Sequence, residues 1–260
     1  MMRIRVSRRH FLSTAVGAGA GLASVARGRC FGIASRSPAV LPQGHLDCVL
    51  VDLADGCRLR ESLAGYEAAL SRTDCRFLRA VPRQMPPAPV VIVPGCAGLA
   101  PDVAEIFRSS AEAGALVLVE SGAAYAELPE FEAHRVALDL HFGLKLEAPV
   151  DLWSDGRGEE SALARHAEGR RAEAGRSHVP YVDYNWPIAA KVRDFSRIVP
   201  LCNVVWAALN GEPIGWAQGR PMAARQSFGR GKLVFLGSPL GPALRYGDRE
   251  AERWLNALLV

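Results

Sequence analysis

The sequence predicts an α/β fold with a doubly wound, mostly parallel sheet, arranged as a flavodoxin-like three-layer sandwich. Three short apolar segments, 48–53, 89–94 and 115–119, have the nearly continuous hydrophobicity of strands that are buried on both faces. Segments between them carry apolar residues at helical spacing. Strands that alternate with helices at this spacing indicate parallel crossover connections. A chain of 260 residues, 49% of them hydrophobic, is long enough to bury one sizeable core.

The first half of the chain predicts its elements in a regular order. A weaker strand, 75–78, follows the first helix, and the strand at 89–94 ends in the turn from Gly95 to Gly98. Pro101 opens the second helix and Gly114 closes it, as expected for proline in a first turn and glycine after a last turn. The first helix has its apolar side at four positions with helical spacing: Leu59, Leu63, Tyr66 and Leu70.

The second half predicts an inserted segment and late β-hairpins. Residues 145–187 are mostly polar, include a charge-dense run, and are read as the insertion. Asn210-Gly211 stands between two apolar runs, which is the strongest short signal for a hairpin. A strand at 232–237 and a helix at 248–259 close the chain.

The first residues have the pattern of a twin-arginine export signal. Arg8 and Arg9 precede a charge-free apolar run that ends in the small residues of 24–26, and the run is shorter than the roughly 18 residues of a spanning helix. We therefore expect a signal peptide at 1–26, a linker at 27–46 and one domain at 47–260. The expected location is the periplasm or the medium, with no membrane contact beyond the export signal.

Charge and cysteine spacing limit the classes of ligand and partner that the sequence supports. The net charge of +4 comes from four arginines within residues 1–26, and the remainder has 27 basic and 27 acidic residues, which argues against a nucleic-acid partner. The six cysteines show no CxxC spacing, so no metal site and no cofactor are expected. Cys57 and Cys96 both follow predicted strands and are candidates for a disulfide; buried free thiols are the alternative.

Candidate functional residues follow the predicted strands. Ligands of parallel α/β sheets bind at the carboxyl ends of the strands, which selects Gly95 and Cys96 after one strand and Glu120 and Ser121 after the next. A strand, a small polar residue and then Gly122 is also the layout of a nucleophile elbow. An ordinary helix N-cap at Ser121 is the alternative.

This order of elements, with Val91-Ile92-Val93-Pro94-Gly95 in the third strand, resembles the class I glutamine-amidotransferase-like superfamily, including its trehalose-utilisation-like and biotin-ligase-N-terminal-like relatives. The resemblance implies that the Pro94-Gly95 loop helps to form an oxyanion hole and that Ser121 stands where the family has its cysteine nucleophile. It also implies that Gly241 and Ala243 replace the histidine and glutamate of the triad.

Without that triad, Ser121 lacks its usual base, and the resemblance implies an exported, non-catalytic ligand-binding or assembly module whose partner is an unknown small molecule or a periplasmic protein. The alternative is a hydrolase or amidase in which Ser121 attacks and Glu120 or His178 assists. Gly95, Cys96 and Gly241 are expected to bind the ligand. Tyr184 and Trp186 are further binding candidates, because aromatic and polar side chains suit a polar ring. A third hypothesis is a metal- or sugar-handling site with His134, His141 and the 181–186 segment.

Overall fold

A computed structural model describes residues 46–57, 59–122, 128–150, 181–193, 203–208, 211–217 and 219–260. The predicted export signal, nearly all of the linker, His178 and most of the predicted insertion lie outside the described residues. Among the helices that are described, none combines the length and the hydrophobicity needed to cross a membrane.

A nine-stranded sheet forms the centre of the fold. Its order is β2-β1-β3-β4-β11-β10-β9-β6-β7. The strands β1, β2, β3, β4 and β11 run parallel to one another. The strand bounds are β1 Cys48–Val51, β2 Phe77–Ala80, β3 Val90–Cys96, β4 Leu116–Ser121, β5 Leu144–Val150, β6 Tyr181–Tyr184, β7 Ala190–Arg193, β8 Asn203–Ala208, β9 Glu212–Ala217, β10 Arg220–Phe228 and β11 Gly231–Leu236.

The other half of the sheet is antiparallel. Strand β10 pairs antiparallel with both β11 and β9, and β6 pairs antiparallel with β9 and β7. Strands β5 and β8 form a separate two-stranded antiparallel sheet. The prediction of a doubly wound, flavodoxin-like fold is therefore wrong, because the sheet is mixed. Strands of the second half, predicted as an insertion and late hairpins, join this same sheet in antiparallel pairing, without the helical crossovers that parallel strands require.

The predicted hairpin around Asn210-Gly211 is also wrong. Strand β8 pairs with β5, whereas β9 pairs with β10 and β6. The tight hairpin of this region instead joins β10 to β11, where Phe228 pairs with Gly231 across Gly229 and Arg230. Gly229 has φ of 58°, a left-handed conformation that glycine adopts without steric cost.

Helices cover both faces of the sheet. On one face, α1 (Arg60–Leu70), α4 (Gly241–Arg245) and α5 (Arg249–Leu259) pack over a core that includes Tyr66, Leu236 and Trp254. On the other face, α2 (Pro101–Glu112) and α3 (Leu128–Phe142) pack over a second core that includes Phe107 and Leu138. Helix α5 is sharply capped, since the carboxylate of Asp248 accepts hydrogen bonds from two backbone N–H groups of the first turn.

Candidate functional site

Glu120, one of the predicted site residues, lies at the carboxyl end of β4 and is fully buried. Its Oε2 atom accepts hydrogen bonds from the backbone N–H groups of Leu240 (3.0 Å) and Gly241 (2.9 Å). These groups stand at the beginning of α4, where backbone N–H groups have no partner within the helix. The carboxylate therefore fixes the segment that follows β11 against the end of β4.

Helices α1 and α4 approach each other through two glycines beside this carboxylate. A Cβ atom on Gly65 would lie 1.9 Å from the carbonyl oxygen of Gly241, and a Cβ atom on Gly241 would lie 2.3 Å from Cα of Ser62. No side chain fits at either position, so the helix backbones pack directly on each other. The sequence prediction placed Gly241 near Glu120 as a ligand-binding residue, but the side of Gly241 that faces α1 is filled by protein.

Three polar side-chain atoms are buried together at this carboxylate, namely Glu120 Oε1, Ser62 Oγ and Tyr66 OH, and both hydroxyls interact with Glu120. Burial raises the pKa of Glu120, while the nearby Ser62 hydroxyl, the N–H group of Gly241 and the Tyr66 hydroxyl oppose that rise. Burial also raises the pKa of Tyr66 well above its usual range, and the Glu120 charge adds to the effect. The chemistry of this cluster is that of a buried acid held by backbone donors.

Ser121, the predicted nucleophile, is only 3% exposed and sits opposite Cys96 in the register of β3 and β4. Successive side chains of a strand point to opposite faces of the sheet. Glu120 points to the face of α1 and α4, so Ser121 points to the other face. Glu120 is therefore not placed to act as a base for Ser121. The proposed catalytic role of either residue stays a prediction.

The loops around Ser121 are joined by backbone contacts. The N–H group of Gly122 donates to the carbonyl of Cys96 at 2.7 Å. Gly95, a predicted binding residue, has φ of 57°, and a Cβ atom there would lie 2.8 Å from the carbonyl oxygen of Leu59. The structure thus brings Gly95, Cys96 and Ser121 together at the same edge of the sheet, as expected from the sequence.

Tyr184 and Trp186, the other two predicted binding residues, lie elsewhere. Strand β6, which ends at Tyr184, is four strand positions from β4, a separation of about 19 Å at the usual strand spacing. Tyr184 is buried, and its ring centroid lies 4.9 Å from that of Trp254. The carbonyl of Trp186 accepts a hydrogen bond from the indole N–H of Trp254 at 2.7 Å, and the Arg225 guanidinium lies 4.9 Å from the Trp186 ring centroid. The two contacts of Trp254 belong to the packing of α5, and the Arg225 contact comes from β10.

The two described histidines of the third hypothesis differ in their surroundings. His134 is completely buried, neither ring nitrogen has a hydrogen-bond partner, and burial lowers its pKa to about 4. His141 lies at the end of α3 with Nδ1 3.5 Å from Glu105 Oε2. No group of three or more potential metal ligands occurs within the described part of the chain.

A shallow depression of about 330 Å³, here called the Phe142–Phe228 depression, was missed by the sequence reasoning. The rings of Phe142 and Phe228 meet edge to face, with centroids 5.9 Å apart. Gln226 Nε2 donates to the Phe142 carbonyl at 2.5 Å, while Gln226 Oε1 and His141 Nε2 have no hydrogen-bond partner. Its lining consists of His141, Phe142, Gly143, Gln226, Ser227 and Phe228. The alternation of Gln226 and Phe228 along the chain looked like ordinary strand pattern, so no sequence signal singled them out.

No family model matches the chain, and no curated protein matches it. Solved structures do. The exo-β-1,4-mannosidase Op5Man5 from Opitutaceae bacterium strain TAV5 matches with a TM-score of 0.54, 13% identity, and coverage of 84% of this chain and 37% of that chain. A catalytic mutant of Gan42B, a GH42 β-galactosidase from G. stearothermophilus, matches with a TM-score of 0.52, 10% identity, and coverage of 81% and 30%. A β-galactosidase from Rahnella sp. R3 matches with a TM-score of 0.52, 11% identity, and coverage of 82% and 31%.

The chain thus shares a fold with about a third of the length of these glycosidases. The resemblance to the class I glutamine-amidotransferase-like superfamily is contradicted, because the similar structures are glycoside hydrolases and no family model matches. The non-catalytic module and the Ser121-dependent hydrolase or amidase, both drawn from that resemblance, are likewise wrong as predictions of function. Both depended on short motifs and on the alignment of Gly241 with an absent histidine.

Proposed function

We propose that the protein takes part in the hydrolysis of glycosides and contacts a neutral carbohydrate at the Phe142–Phe228 depression. The observation that carries the proposal is the fold shared with an exo-β-1,4-mannosidase and with two β-galactosidases over more than four-fifths of this chain. The activities of those enzymes belong to chains between two and three times as long. For this chain we therefore propose participation in glycoside hydrolysis, and not the specific activity of any of these enzymes.

The chemistry of the depression supports a carbohydrate ligand. Gln226 Oε1 and His141 Nε2 are two polar atoms without partners that are shielded from solvent, so sugar hydroxyls can donate hydrogen bonds to them once the side chains at the rim of the depression move aside. The orientation of the Gln226 amide is set by its bond to the Phe142 carbonyl, which leaves Oε1 as an acceptor. A neutral polyol can satisfy these atoms without bringing a charge into the site.

The aromatic side chains supply the apolar part of such a site. Phe228 is partly buried and packs against the second core, and Phe142 is buried beneath it. Binding sites for small ligands combine apolar and aromatic walls with a few fixed polar groups, usually in cavities of about 300–1,000 Å³. The depression lies at the lower end of that range, which suits one sugar unit rather than a long chain.

Titration calorimetry of the full chain with mannose, galactose, fucose and β-1,4-linked mannobiose tests the proposal. We expect saturable binding of at least one of these sugars, and binding at least tenfold weaker in Phe228→Ala and Gln226→Leu. Leu140→Ala is the matched control, since Leu140 lies on α3 beside His141 but is 73% exposed. Thermal unfolding of each variant verifies that it is folded. Absence of binding to all four sugars by the folded protein would contradict the proposal.

Hydrolysis is measured on the same preparation with nitrophenyl β-mannoside and β-galactoside. Release of nitrophenol would assign cleavage to this chain itself. Glycoside hydrolysis ordinarily requires two carboxyl groups about 5–10 Å apart on either side of the bond. Among the described acids, Glu120 is held by Leu240 and Gly241, so a cleaving pair has to include other carboxylates.

We also propose that the protein is exported through the twin-arginine pathway. The support is the Arg8-Arg9 pair followed by an uncharged apolar run. Replacing both arginines by lysine keeps the charge and removes the motif. We expect the wild-type protein in the periplasmic fraction and the doubly substituted precursor in the cytoplasm. If the wild-type and the doubly substituted protein were found in the same fraction, export by this route would be contradicted.

A further inference from the structure

We propose that Cys57 and Cys96 form a disulfide bond in the mature protein, a covalent link between the turn before α1 and the end of β3. Both residues are free thiols in the structure. The link would close the segment from 57 to 96, which contains α1, β2 and β3, at the edge of the sheet that carries Glu120 and Ser121. It does not depend on the carbohydrate proposal.

The backbone holds these two residues directly opposite each other. Cys57 and Cys96 form an isolated antiparallel bridge. The N–H group of Ala97 donates to the carbonyl of Gly56 at 3.1 Å, so the hydrogen bond joins the residue after Cys96 to the residue before Cys57. This pattern identifies a non-hydrogen-bonded antiparallel pair, in which the Cα atoms are about 4.5 Å apart and the side chains are close.

That spacing is compatible with a disulfide, which needs Cα atoms about 4.4–6.8 Å apart and Cβ atoms about 3.5–4.5 Å apart. Directly opposed residues of an antiparallel pair also project to the same face. In agreement with this closeness, the charge of a Cys57 thiolate raises the pKa of Cys96, in addition to the larger effect of burial.

The other described cysteine pair differs in its backbone relationship. Cys48 is opposed to Phe77 in the parallel register of β1 and β2, so Cys75 is not its direct partner. The thiols of Cys48 and Cys75 nevertheless interact, and a hydrogen bond from Cys48 lowers the pKa of Cys75. This pair provides an internal comparison, since its thiols are near each other without an opposed antiparallel backbone.

The bond forms by exchange with an external disulfide, such as oxidised glutathione or a thiol–disulfide oxidoreductase. Cys57, which is 6% exposed while Cys96 is fully buried, attacks first as its thiolate and forms a mixed disulfide. The Cys96 thiolate then displaces the external sulfur. One disulfide and two protein thiols thus give one protein disulfide and two external thiols, with the electron pair and both protons passing to the external pair. Burial raises the pKa of Cys57 and Cys96, so exchange in the native state is slow and proceeds when this edge opens.

The full chain is unfolded in denaturant with a reductant, which makes every thiol accessible. It is then refolded in buffer that contains reduced and oxidised glutathione. The refolded protein is then denatured in the presence of iodoacetamide, so that buried free thiols are blocked as well, and tryptic peptides are mapped without reduction. Peptide 37–58 contains both Cys48 and Cys57, peptide 73–76 contains Cys75, and peptide 84–108 contains Cys96. Cys48→Ser is therefore the matched control that identifies the partner within peptide 37–58.

We expect peptide 37–58 linked to peptide 84–108 in the wild type and in Cys48→Ser, and no such link in Cys57→Ser or Cys96→Ser. The refolded wild type is expected to unfold several degrees higher without reductant than with it, and Cys57→Ser is expected to lose this difference. Refolded protein with native circular dichroism in which both Cys57 and Cys96 take up iodoacetamide would overturn the proposal. A link from peptide 84–108 to any other cysteine would overturn it as well.

Discussion

The carboxylate of Glu120 accepts a hydrogen bond from the backbone N–H group of Gly241 at 2.9 Å, across 121 positions of the chain. This contact joins the last residues of β4 to the first turn of α4. It places a buried acid where parallel α/β sheets commonly bind ligands, at the carboxyl end of a central strand. In this protein the carboxylate holds the backbone of another segment, because its Oε2 atom already accepts hydrogen bonds from two N–H groups.

Replacing Glu120 by alanine is expected to lower the free energy of unfolding by about 3–5 kcal/mol, since two buried N–H groups lose their acceptor and a cavity remains. Glu120→Gln keeps an oxygen for these donors and is expected to cost less than half as much. Denaturant unfolding at neutral pH measures both variants. A cost of Glu120→Gln equal to that of Glu120→Ala would contradict the role assigned to the acceptor.

Gly65→Ala is expected to destabilise the protein even though alanine favours helices. In an unconstrained helix this substitution gains about 1 kcal/mol. Here the new Cβ atom would lie 1.9 Å from the Gly241 carbonyl, so α1 and α4 must separate. We expect a net loss of at least about 2 kcal/mol, within the range for overpacked sites. The neighbouring Ala64→Gly serves as the control, with an expected loss of about 1 kcal/mol from helix propensity alone. A stabilised Gly65→Ala variant would show that the helices separate without cost.

The sequence predicted the positions of most strands in the parallel half of the sheet. Strands such as Val90–Cys96 are buried on both faces, and their continuous apolar runs are hard to mistake. The antiparallel half was missed because β10, Arg220–Phe228, mixes small, charged and polar residues. Its partners are set by long-range pairing, which no local pattern records.

The candidate site was predicted in part. Parallel strands bring their carboxyl ends to one edge, and this rule is sufficient to group Gly95, Cys96, Glu120 and Ser121. The rule does not reveal the hydrogen-bond partners of each side chain. In the structure Glu120 accepts hydrogen bonds from two backbone N–H groups about 120 positions further along the chain. The Phe142–Phe228 depression depends on the end of α3 meeting the end of β10, a tertiary contact without a sequence motif. The resemblance to a known family failed for a related reason, because short motifs specify local turns more than they specify function.

Trp254→Phe tests whether the surroundings of Tyr184 and Trp186 are structural. Trp254 is fully buried and donates its indole N–H to the Trp186 carbonyl. Phenylalanine loses that donor and part of the volume, so we expect a loss of about 2–3 kcal/mol in the free energy of unfolding. Val81→Ala, at a site that is 41% exposed, is the control and should change stability by less than about 1 kcal/mol. A loss for Trp254→Phe no larger than that of the control would contradict a structural role.

His134 makes stability depend on pH in a defined direction. Its pKa falls from 6.5 in the unfolded chain to about 4 in the folded protein, because burial disfavours the imidazolium. Between these values the unfolded state binds a proton that the folded state does not bind. The contribution of His134 to stability is therefore complete above pH 6.5 and is lost as the pH falls toward 4, by about 3 kcal/mol in all.

His134→Leu isolates this contribution from that of the carboxylates, which titrate in the same range. Leucine has a similar size and places no unpartnered nitrogens in the core, so the variant should be at least as stable as the wild type at pH 7. The difference in the free energy of unfolding between variant and wild type should then widen by about 3 kcal/mol between pH 7 and pH 4. Denaturant unfolding of both proteins at several pH values gives this difference directly. A constant difference would mean that the folded protein accommodates a charged His134, and that its imidazole is neither as buried nor as isolated as the structure shows.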